Sequence, residues 1–171
     1  IFAIEKIMSV LKVIFELTKF RLSLLVSFSA IVGFVLASDN FYIIDLIVLG
    51  TSGYLVTAAS VINNQILEKD LDSKMDRTKD RPLPTNRISK RNSLITSVFF
   101  MVIGLTIITL YFNMVAGLLS LVSLFLYTFI YTPLKRIGPI AVFVGAIPGA
   151  LPPLIGWVAS VSYTHLRAHE T

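Results

Sequence analysis

Three side chains that carry oxygen atoms recur at intervals of four residues just after a long apolar stretch. They are Asn64, Glu68 and Asp72, within the segment NNQILEKDLDSKMDRTKDRPLP at residues 63–84. Because an α-helix turns about 100° per residue, side chains spaced by four lie along one helix face. Oxygen ligands suit a hard cation such as Mg²⁺, which takes one or two carboxylates together with phosphate oxygens and water. The spacing therefore favours a magnesium site on this face.

Basic residues follow the acidic row and indicate what the cation would accompany. Arg77 and Arg81 come within ten residues of Asp72. The residue before a proline disfavours the helical conformation, so we expect the helix to end at Arg81, which precedes Pro82. A turn there would bring both guanidinium groups back over the carboxylates, and Mg²⁺ beside guanidinium groups suits a diphosphate. Asp70 falls on the opposite side of the helix.

A second interpretation of this segment stays open on spacing alone. Charge-dense loops are common between membrane helices, and EKDLDSKMDRTKDR could be a solvated loop with local ion pairs. Like charges stacked on one helix face repel each other, and a bound cation would relieve that repulsion.

The composition is that of a membrane protein. The 171 residues are 55% hydrophobic and 15% charged, with a mean hydropathy of +0.80, whereas soluble domains carry about 25% charged residues. The net charge is +5. In a membrane protein, basic residues mark cytoplasmic loops rather than a nucleic-acid surface, so we expect no nucleic-acid partner. The absence of cysteine excludes disulfides, thiolate metal sites and cysteine nucleophiles.

Apolar segments long enough to cross a bilayer occur five times along the chain. An amphipathic pattern at residues 1–17 predicts a further helix at the membrane surface. The predicted fold is therefore all-α, a polytopic transmembrane helix bundle with an N-terminal interfacial helix. The predicted spans are 20–37, 43–67, 93–112, 114–132 and 138–160.

Loops with basic residues alternate along the chain with loops that have none. This alternation predicts how the protein is oriented in the cell membrane, which is the cell inner membrane. The loop at 68–92 has eight Lys or Arg residues, whereas the turns at 38–41 and 112–114 have none. The N-terminus and the loops at 68–92 and 133–139 are therefore expected on the cytoplasmic side.

The last ten residues, SYTHLRAHET, depart from the apolar pattern. His165 and His169 have the spacing of a helical zinc pair, but no third ligand is near them. We expect a membrane domain at 1–161 and a non-native tail at 162–171, so that the native sequence is cut after the fifth helix.

Four stretches resemble the UbiA superfamily of intramembrane prenyltransferases, in particular its branch that farnesylates protoheme IX. The stretch NQILEKDLDSKMDRTKDRPLP resembles the first Asp-rich motif of that superfamily. The stretches LTKFRLSLLVSFSAIVGFVLA, YTPLKRIGP and GAIPGALPPLIGWVAS are similar to its first helix, fourth loop and fifth helix. The resemblance covers roughly residues 15–160.

The resemblance implies an activity and its ligands. It implies Mg²⁺-dependent transfer of the farnesyl group of farnesyl diphosphate to a vinyl group of protoheme IX, giving haem O, within a lipid bilayer. It implies catalytic and metal-binding roles for Asn64, Glu68 and Asp72. It implies that five further residues bind the substrate, namely Arg21, Asp70, Arg77, Arg81 and Lys135.

The sequence departs from the family pattern in two places. Phe20 stands where the family has proline, and the second acidic motif, which follows the fifth helix in the family, is absent. We therefore expect this chain to be inactive alone. Two other functions are weighed: prenyl transfer to an aromatic quinone precursor, and transport of a divalent cation, which would need acids near mid-membrane on several helices.

Overall fold

A computed structural model of the protein describes the backbone of residues 2–135 and 137–168, with the side chains of 5, 7–135 and 137–161. Every regular element in these ranges is helical, which confirms the predicted all-α fold. The helices are α1 (Phe2–Leu17), α2 (Phe20–Ala37), α3 (Ile43–Asp72), α4 (Lys90–Ile107), α5 (Met114–Phe125), a short α6 (Thr132–Leu134) and α7 (Ile140–Ala168).

Five helical spans are long and apolar enough to cross a membrane, as predicted. They cover Phe20–Ala37, Ile43–Asp72, Lys90–Phe112, Met114–Leu134 and Ile140–Val161. The first helix, α1, keeps large apolar side chains such as Ile7 and Met8 exposed, as an amphipathic surface helix does. The predicted boundary at residue 162 stays a prediction, because the backbone of α7 continues to Ala168 and residues 169–171 lie outside the described ranges.

The end of α3 differs from the prediction. The helix stops at Asp72, nine residues before Arg81, and the chain then runs through tight turns. The Thr78 hydroxyl donates to the Asp72 carbonyl oxygen at 2.9 Å, and the Thr78 amide donates to the Met75 carbonyl at 2.9 Å. The first bond satisfies the last carbonyl of the helix and the second closes a turn beyond it, so Pro82 is not what ends the helix.

Two of the spans contain segments of π-helix. Residues Ile108–Phe112 extend α4 in this form, and Leu126–Tyr131 join α5 to α6. Insertions of this kind re-aim the side chains that follow them and are frequent at functional sites. The second segment lies directly before Thr132 and Lys135, which both contact α3.

Small residues let the spans pack closely. A Cβ on Gly33 would clash with the Pro153 carbonyl, and one on Gly156 would clash with the Ala30 carbonyl. The backbones of α2 and α7 therefore touch along a seam, which is how helices associate in a medium as apolar as their side chains. The seam is extended by a 2.6 Å hydrogen bond that joins the hydroxyls of Ser38 and Ser160.

A small second core lies beneath the loop that follows α3. Leu17, Ile62 and Leu83 are fully buried against one another. They come from the end of α1, from α3 and from the loop. Their packing fixes the loop and the α1–α2 junction against the end of α3 that carries the acidic row.

Candidate active site

The acidic row lies on one buried face of α3. The exposed fractions of Asn64, Glu68 and Asp72 are 3%, 5% and 4%. Their spacing predicted a shared face, and the helix is regular through all three positions. Buried carboxylates need a partner for their charge, so the site is defined by what faces them.

Two cations from different loops face the carboxylates. Arg81 Nη1 lies 2.7 Å from Asp72 Oδ2, and Lys135 Nζ forms an ion pair with Glu68 Oε1. Arg81 lies in the loop after α3, and Lys135 follows α6, so two separate parts of the chain converge on one helix end. Each carboxylate is neutralised by a group that can also bind a phosphate oxygen.

Arg81 is held over the row by the residues after it. Pro82 and Leu83 are buried, and Leu83 packs in the second core against Leu17 and Ile62. The backbone of this loop is therefore anchored by apolar burial, and the guanidinium reaches back to Asp72.

The other predicted substrate contacts lie farther out. Arg77 and Asp70 are exposed, and the described residues include no ion pair between Arg77 and the row. Arg21 is also exposed, on a groove that it shares with Lys12 and Glu16. Arg81 and Lys135 are thus the predicted bases that the structure brings to the carboxylates.

The four-residue spacing predicts that Asp76 continues the row, but it does not. Its side chain is 98% exposed and pairs with Lys79 at 2.8 Å, because α3 has already ended.

Lys19 is a third cation close to this cluster, and the sequence analysis gave it no site role. It joins α1 to α2 with φ 45° and ψ 58°, a left-handed conformation that is uncommon for lysine. Burial lowers the pKa of the Lys19 ammonium, and the positive charges of Arg81 and Lys135 lower it further, whereas Asp72 and Glu68 raise it. Three cations near two carboxylates leave a surplus of positive charge.

The junction that carries Lys19 is tied to α3 by hydrogen bonds. Gln65 Nε2 donates to the Leu17 carbonyl at 2.5 Å, and the Tyr54 hydroxyl donates to Thr18 Oγ1 at 3.0 Å. Local sequence around residue 19 does not reveal these ties, because both partners lie more than thirty residues away. Gln65 follows Asn64 in the sequence, but its side chain faces the junction between α1 and α2.

Asn64 contacts a residue that the sequence analysis also missed. Thr132 is fully buried, and its hydroxyl oxygen lies 2.9 Å from Asn64 Oδ1 and 2.8 Å from the Tyr127 carbonyl oxygen. The π-helical segment before Thr132 sets this position. Tyr127 and Tyr131 stand on the same segment with their ring centroids 5.4 Å apart.

A cavity of about 280 Å³ lies between α2, α3, α5 and α7. Ser60 and Val61 line it and precede Asn64 by about one turn of α3, so the row begins where the cavity wall ends. Tyr127 and Tyr131 also line it. Gly145 leaves room for the Tyr131 ring, since a Cβ there would lie 2.6 Å from Tyr131 Cε2.

The donor set of the row fits a hard divalent cation that brings further ligands with it. No three Asp, Glu, His or Cys side chains within the described part of the chain are grouped closely enough to hold a metal by themselves. The row offers two carboxylates and one amide, all of them oxygen donors. Mg²⁺ commonly takes one or two carboxylates and completes its shell with phosphate oxygens and water.

Fold and site define a class of helical membrane proteins in which buried oxygen-bearing side chains, faced by cations, lie at the end of a cavity between the helices. The chain belongs to the UbiA prenyltransferase family, whose model matches residues 26–168. It is 46% identical over 146 residues to a protoheme IX farnesyltransferase of Cytophaga hutchinsonii. The match covers 85% of this chain and 51% of that protein, so the chain spans about half the length of this curated relative.

Two solved structures share the fold at low sequence identity. One is a digeranylgeranylglyceryl phosphate synthase, with a TM-score of 0.78 and 22% identity, covering 87% of this chain and 53% of that one. The other is a UbiA homologue of Archaeoglobus fulgidus bound to DMAPP and Mg²⁺, with a TM-score of 0.71, 20% identity and the same coverage of both chains.

Proposed function

We propose that the protein containing this chain transfers the farnesyl group of farnesyl diphosphate to a vinyl group of protoheme IX, giving haem O. The observation that carries the proposal is the buried row of Asn64, Glu68 and Asp72, faced by cations at the end of an intramembrane cavity. The acceptor is inferred from the 46% identical relative, which is a protoheme IX farnesyltransferase.

The row and its cations bind the diphosphate head group. Asn64, Glu68 and Asp72 would hold Mg²⁺, which would supply positive charge to the leaving oxygens. Arg81 and Lys135 exchange their carboxylate partners for phosphate oxygens, which guanidinium and ammonium groups bind well. Lys19 adds a further positive charge. Arg21, Asp70 and Arg77 contribute from the more exposed rim.

The cavity binds the isoprenoid chain. Its walls come from apolar spans, and each buried CH₂ contributes about 0.8 kcal/mol. The faces of Tyr127 and Tyr131 provide negative electrostatic potential beside the allylic carbon, where positive charge develops. Exclusion of water by these walls protects the electrophile until the acceptor reacts.

The reaction balances with these groups in place. The bond between the allylic carbon and the diphosphate oxygen breaks, and its electron pair leaves with diphosphate. The π electrons of the haem vinyl group form the new carbon–carbon bond. Water adds to the resulting cation and loses one proton, which gives the hydroxyethylfarnesyl product. Arg81, Lys135 and Lys19 stabilise the charge that grows on the leaving group, which is the condition for acceleration.

We also propose how the protein is oriented in the membrane. The N-terminus and the 68–92 loop lie on the cytoplasmic side, so the diphosphate enters from the cytoplasm. The acids within the five spans are Asp45, Glu68, Asp70 and Asp72, and they all belong to α3. A cation pathway built from acids on several helices is therefore not favoured.

The test uses the complete protein in detergent with farnesyl diphosphate, Mg²⁺ and either haem B or an aromatic quinone precursor. We expect haem O with the first acceptor, detected by mass spectrometry, and loss of product with Asp72→Asn. Product from the aromatic acceptor alone would replace the acceptor in this proposal. Mg²⁺ flux in liposomes without any prenylated product would overturn it in favour of transport.

A further inference from the structure

The hydroxyl of Thr132 contacts two groups but has one proton to give. Its oxygen lies 2.9 Å from Asn64 Oδ1 and 2.8 Å from the Tyr127 carbonyl oxygen. A hydroxyl carries one donor hydrogen and two acceptor lone pairs. Only one of these two contacts can therefore be a full hydrogen bond in which Thr132 donates.

The Tyr127 carbonyl, which also accepts from the Thr132 amide, lies 2.8 Å from the Thr132 hydroxyl oxygen and favours a proton that points towards it. A backbone carbonyl can only accept, whereas the end of an asparagine amide can accept through Oδ1 or donate through Nδ2. Oxygen and nitrogen of an amide are assigned from the hydrogen-bond network around them. When the Thr132 proton points to Tyr127, its lone pairs face Asn64, and the amide satisfies them by turning Nδ2 towards Thr132.

This orientation matters for the face of α3. With Nδ2 turned to Thr132, Asn64 Oδ1 points away from Thr132 and is free to serve as an oxygen ligand beside Glu68 and Asp72. With the opposite orientation, the free end of the amide is an NH₂ group, which cannot bind a cation. Asn64 is buried and nearly inaccessible, so bulk water cannot replace the missing oxygen ligand there.

We propose that Thr132 is a positioning residue that presents the carbonyl oxygen of Asn64 to the divalent cation, an inference that rests on the proposed function. In the proposed arrangement the amide is turned so that Asn64 Nδ2, in place of the Oδ1 atom that lies at 2.9 Å, donates to Thr132 Oγ1, and the Thr132 hydroxyl donates to the Tyr127 carbonyl. The π-helical segment Leu126–Tyr131 is what places that carbonyl and hydroxyl at one end of α3. Thr132 contacts neither the substrate nor the cation.

The test is a double-mutant cycle that measures binding of Mn²⁺ alone to the complete protein by electron paramagnetic resonance. Thr132→Val removes the hydroxyl at nearly constant volume and should weaken Mn²⁺ binding about 10- to 100-fold, the usual effect of losing a group that orients a ligand. Thr132→Ser keeps the hydroxyl and should stay within about twofold of the unsubstituted protein. Thr128→Val is the matched control, because Thr128 is similarly buried one turn earlier, within the π-helical segment, but contacts Ser60 rather than Asn64.

The second arm of the cycle uses Asn64→Asp, whose two ends are both oxygen. In that background the orientation of the side chain no longer matters, so Thr132→Val should cost at most about twofold in Mn²⁺ affinity. An equal loss in both backgrounds would overturn the inference, because it would mean that Thr132 acts through packing. So would unchanged Mn²⁺ affinity in Thr132→Val.

Failure of the proposed function gives a different result. If Asp72→Asn leaves Mn²⁺ binding unchanged, or the unsubstituted protein binds no Mn²⁺, the row is not the metal site and both proposals fall. If Asp72→Asn abolishes binding but the cycle shows no coupling, the metal site stands and the role of Thr132 alone is overturned.

Discussion

The two ends of α3 both carry buried carboxylates, but they hold them in different ways. At the N-terminal end, Asp45 accepts hydrogen bonds from the Tyr42 amide at 2.9 Å and from the Tyr111 hydroxyl at 2.8 Å. At the other end, Glu68 and Asp72 face cations from two loops. Asp45 is hydrogen-bonded by neutral donors, whereas Glu68 and Asp72 form ion pairs with charged groups.

The helix dipole explains why this difference is informative. Asp45 lies in the first turn of α3, where the positive end of the helix favours a carboxylate. Glu68 and Asp72 lie in or near the last turn, where the dipole disfavours them. Helix capping by itself explains an acid in the first turn that accepts a hydrogen bond from its own N-cap residue. Acids that the helix itself disfavours, and that separate loops must neutralise, point to a ligand site.

The largest expected effect comes from the charge of the row. Glu68→Gln or Asp72→Asn should lower haem O formation by the complete protein at least about 100-fold, because stabilisation of the leaving group is lost. Steady-state turnover with farnesyl diphosphate and haem B measures it. Asp45→Asn is the matched control, about 35 to 40 Å away along the same helix, and it should leave turnover of the folded protein unchanged. An equal loss of turnover in Asp45→Asn would contradict the proposed difference between the two ends of α3.

The next effect separates two arginines of one loop. Arg81→Ala should lower kcat/KM for farnesyl diphosphate about 100-fold, because this guanidinium lies against Asp72 and reaches the head group. Arg77→Ala should have a smaller effect, about threefold, since its side chain is exposed and screened by solvent. Similar losses for both variants would mean that the anchoring of the loop through Leu83 does not select Arg81.

A smaller effect concerns stability at the N-terminal end of α3. Tyr111→Phe removes the hydroxyl that donates to Asp45 Oδ1 and leaves part of a buried carboxylate without its partner. The expected loss is about 1–3 kcal/mol of unfolding free energy, with turnover of the folded protein unchanged. Thermal unfolding in detergent measures it. A loss of turnover at full stability would give Asp45 a role that its partners do not indicate.

The smallest effect is a dependence of stability on pH at Lys19. The folded pKa of Lys19 lies below its unfolded value, so the charged ammonium destabilises the folded state while both states are protonated. Lys19→Met should therefore raise the midpoint of thermal unfolding at pH 7 in the absence of ligand. The gain should shrink as pH rises through the lowered folded pKa towards 10.5, because the native lysine then loses its proton.

Lys19→Arg is the control for this prediction, since its guanidinium keeps the charge and should bring no gain in stability. A gain from Lys19→Met that is the same at every pH would place its cause in packing rather than charge.

Much of the fold follows from the sequence because hydropathy and helical period are local signals. The five spans are found from runs of apolar residues, and the shared face of Asn64, Glu68 and Asp72 follows from their spacing alone. The end of α3 was predicted wrongly, since Pro82 is a local signal but the hydrogen bond of Thr78 to the Asp72 carbonyl is not.

The rest of the candidate site depends on contacts between distant parts of the chain. Lys19 reaches the cluster because Gln65 and Tyr54 tie its junction to α3. Arg81 and Arg77 look alike in sequence, and burial of Leu83 is what distinguishes them. The sequence LYTFIY does not distinguish the π-helical segment before Thr132 from an ordinary α-helix.

The seam between α2 and α7 has a consequence for how the protein is made. Its two backbones touch at Gly33 and Gly156, more than a hundred residues apart, and Ala30, Pro152 and Ile155 beside it line the cavity. Chains enter the membrane in the order in which the ribosome makes them. The face of α2 around Gly33 therefore has no α7 to pack against until the fifth span is inserted, and the cavity closes as the last step of assembly of these helices.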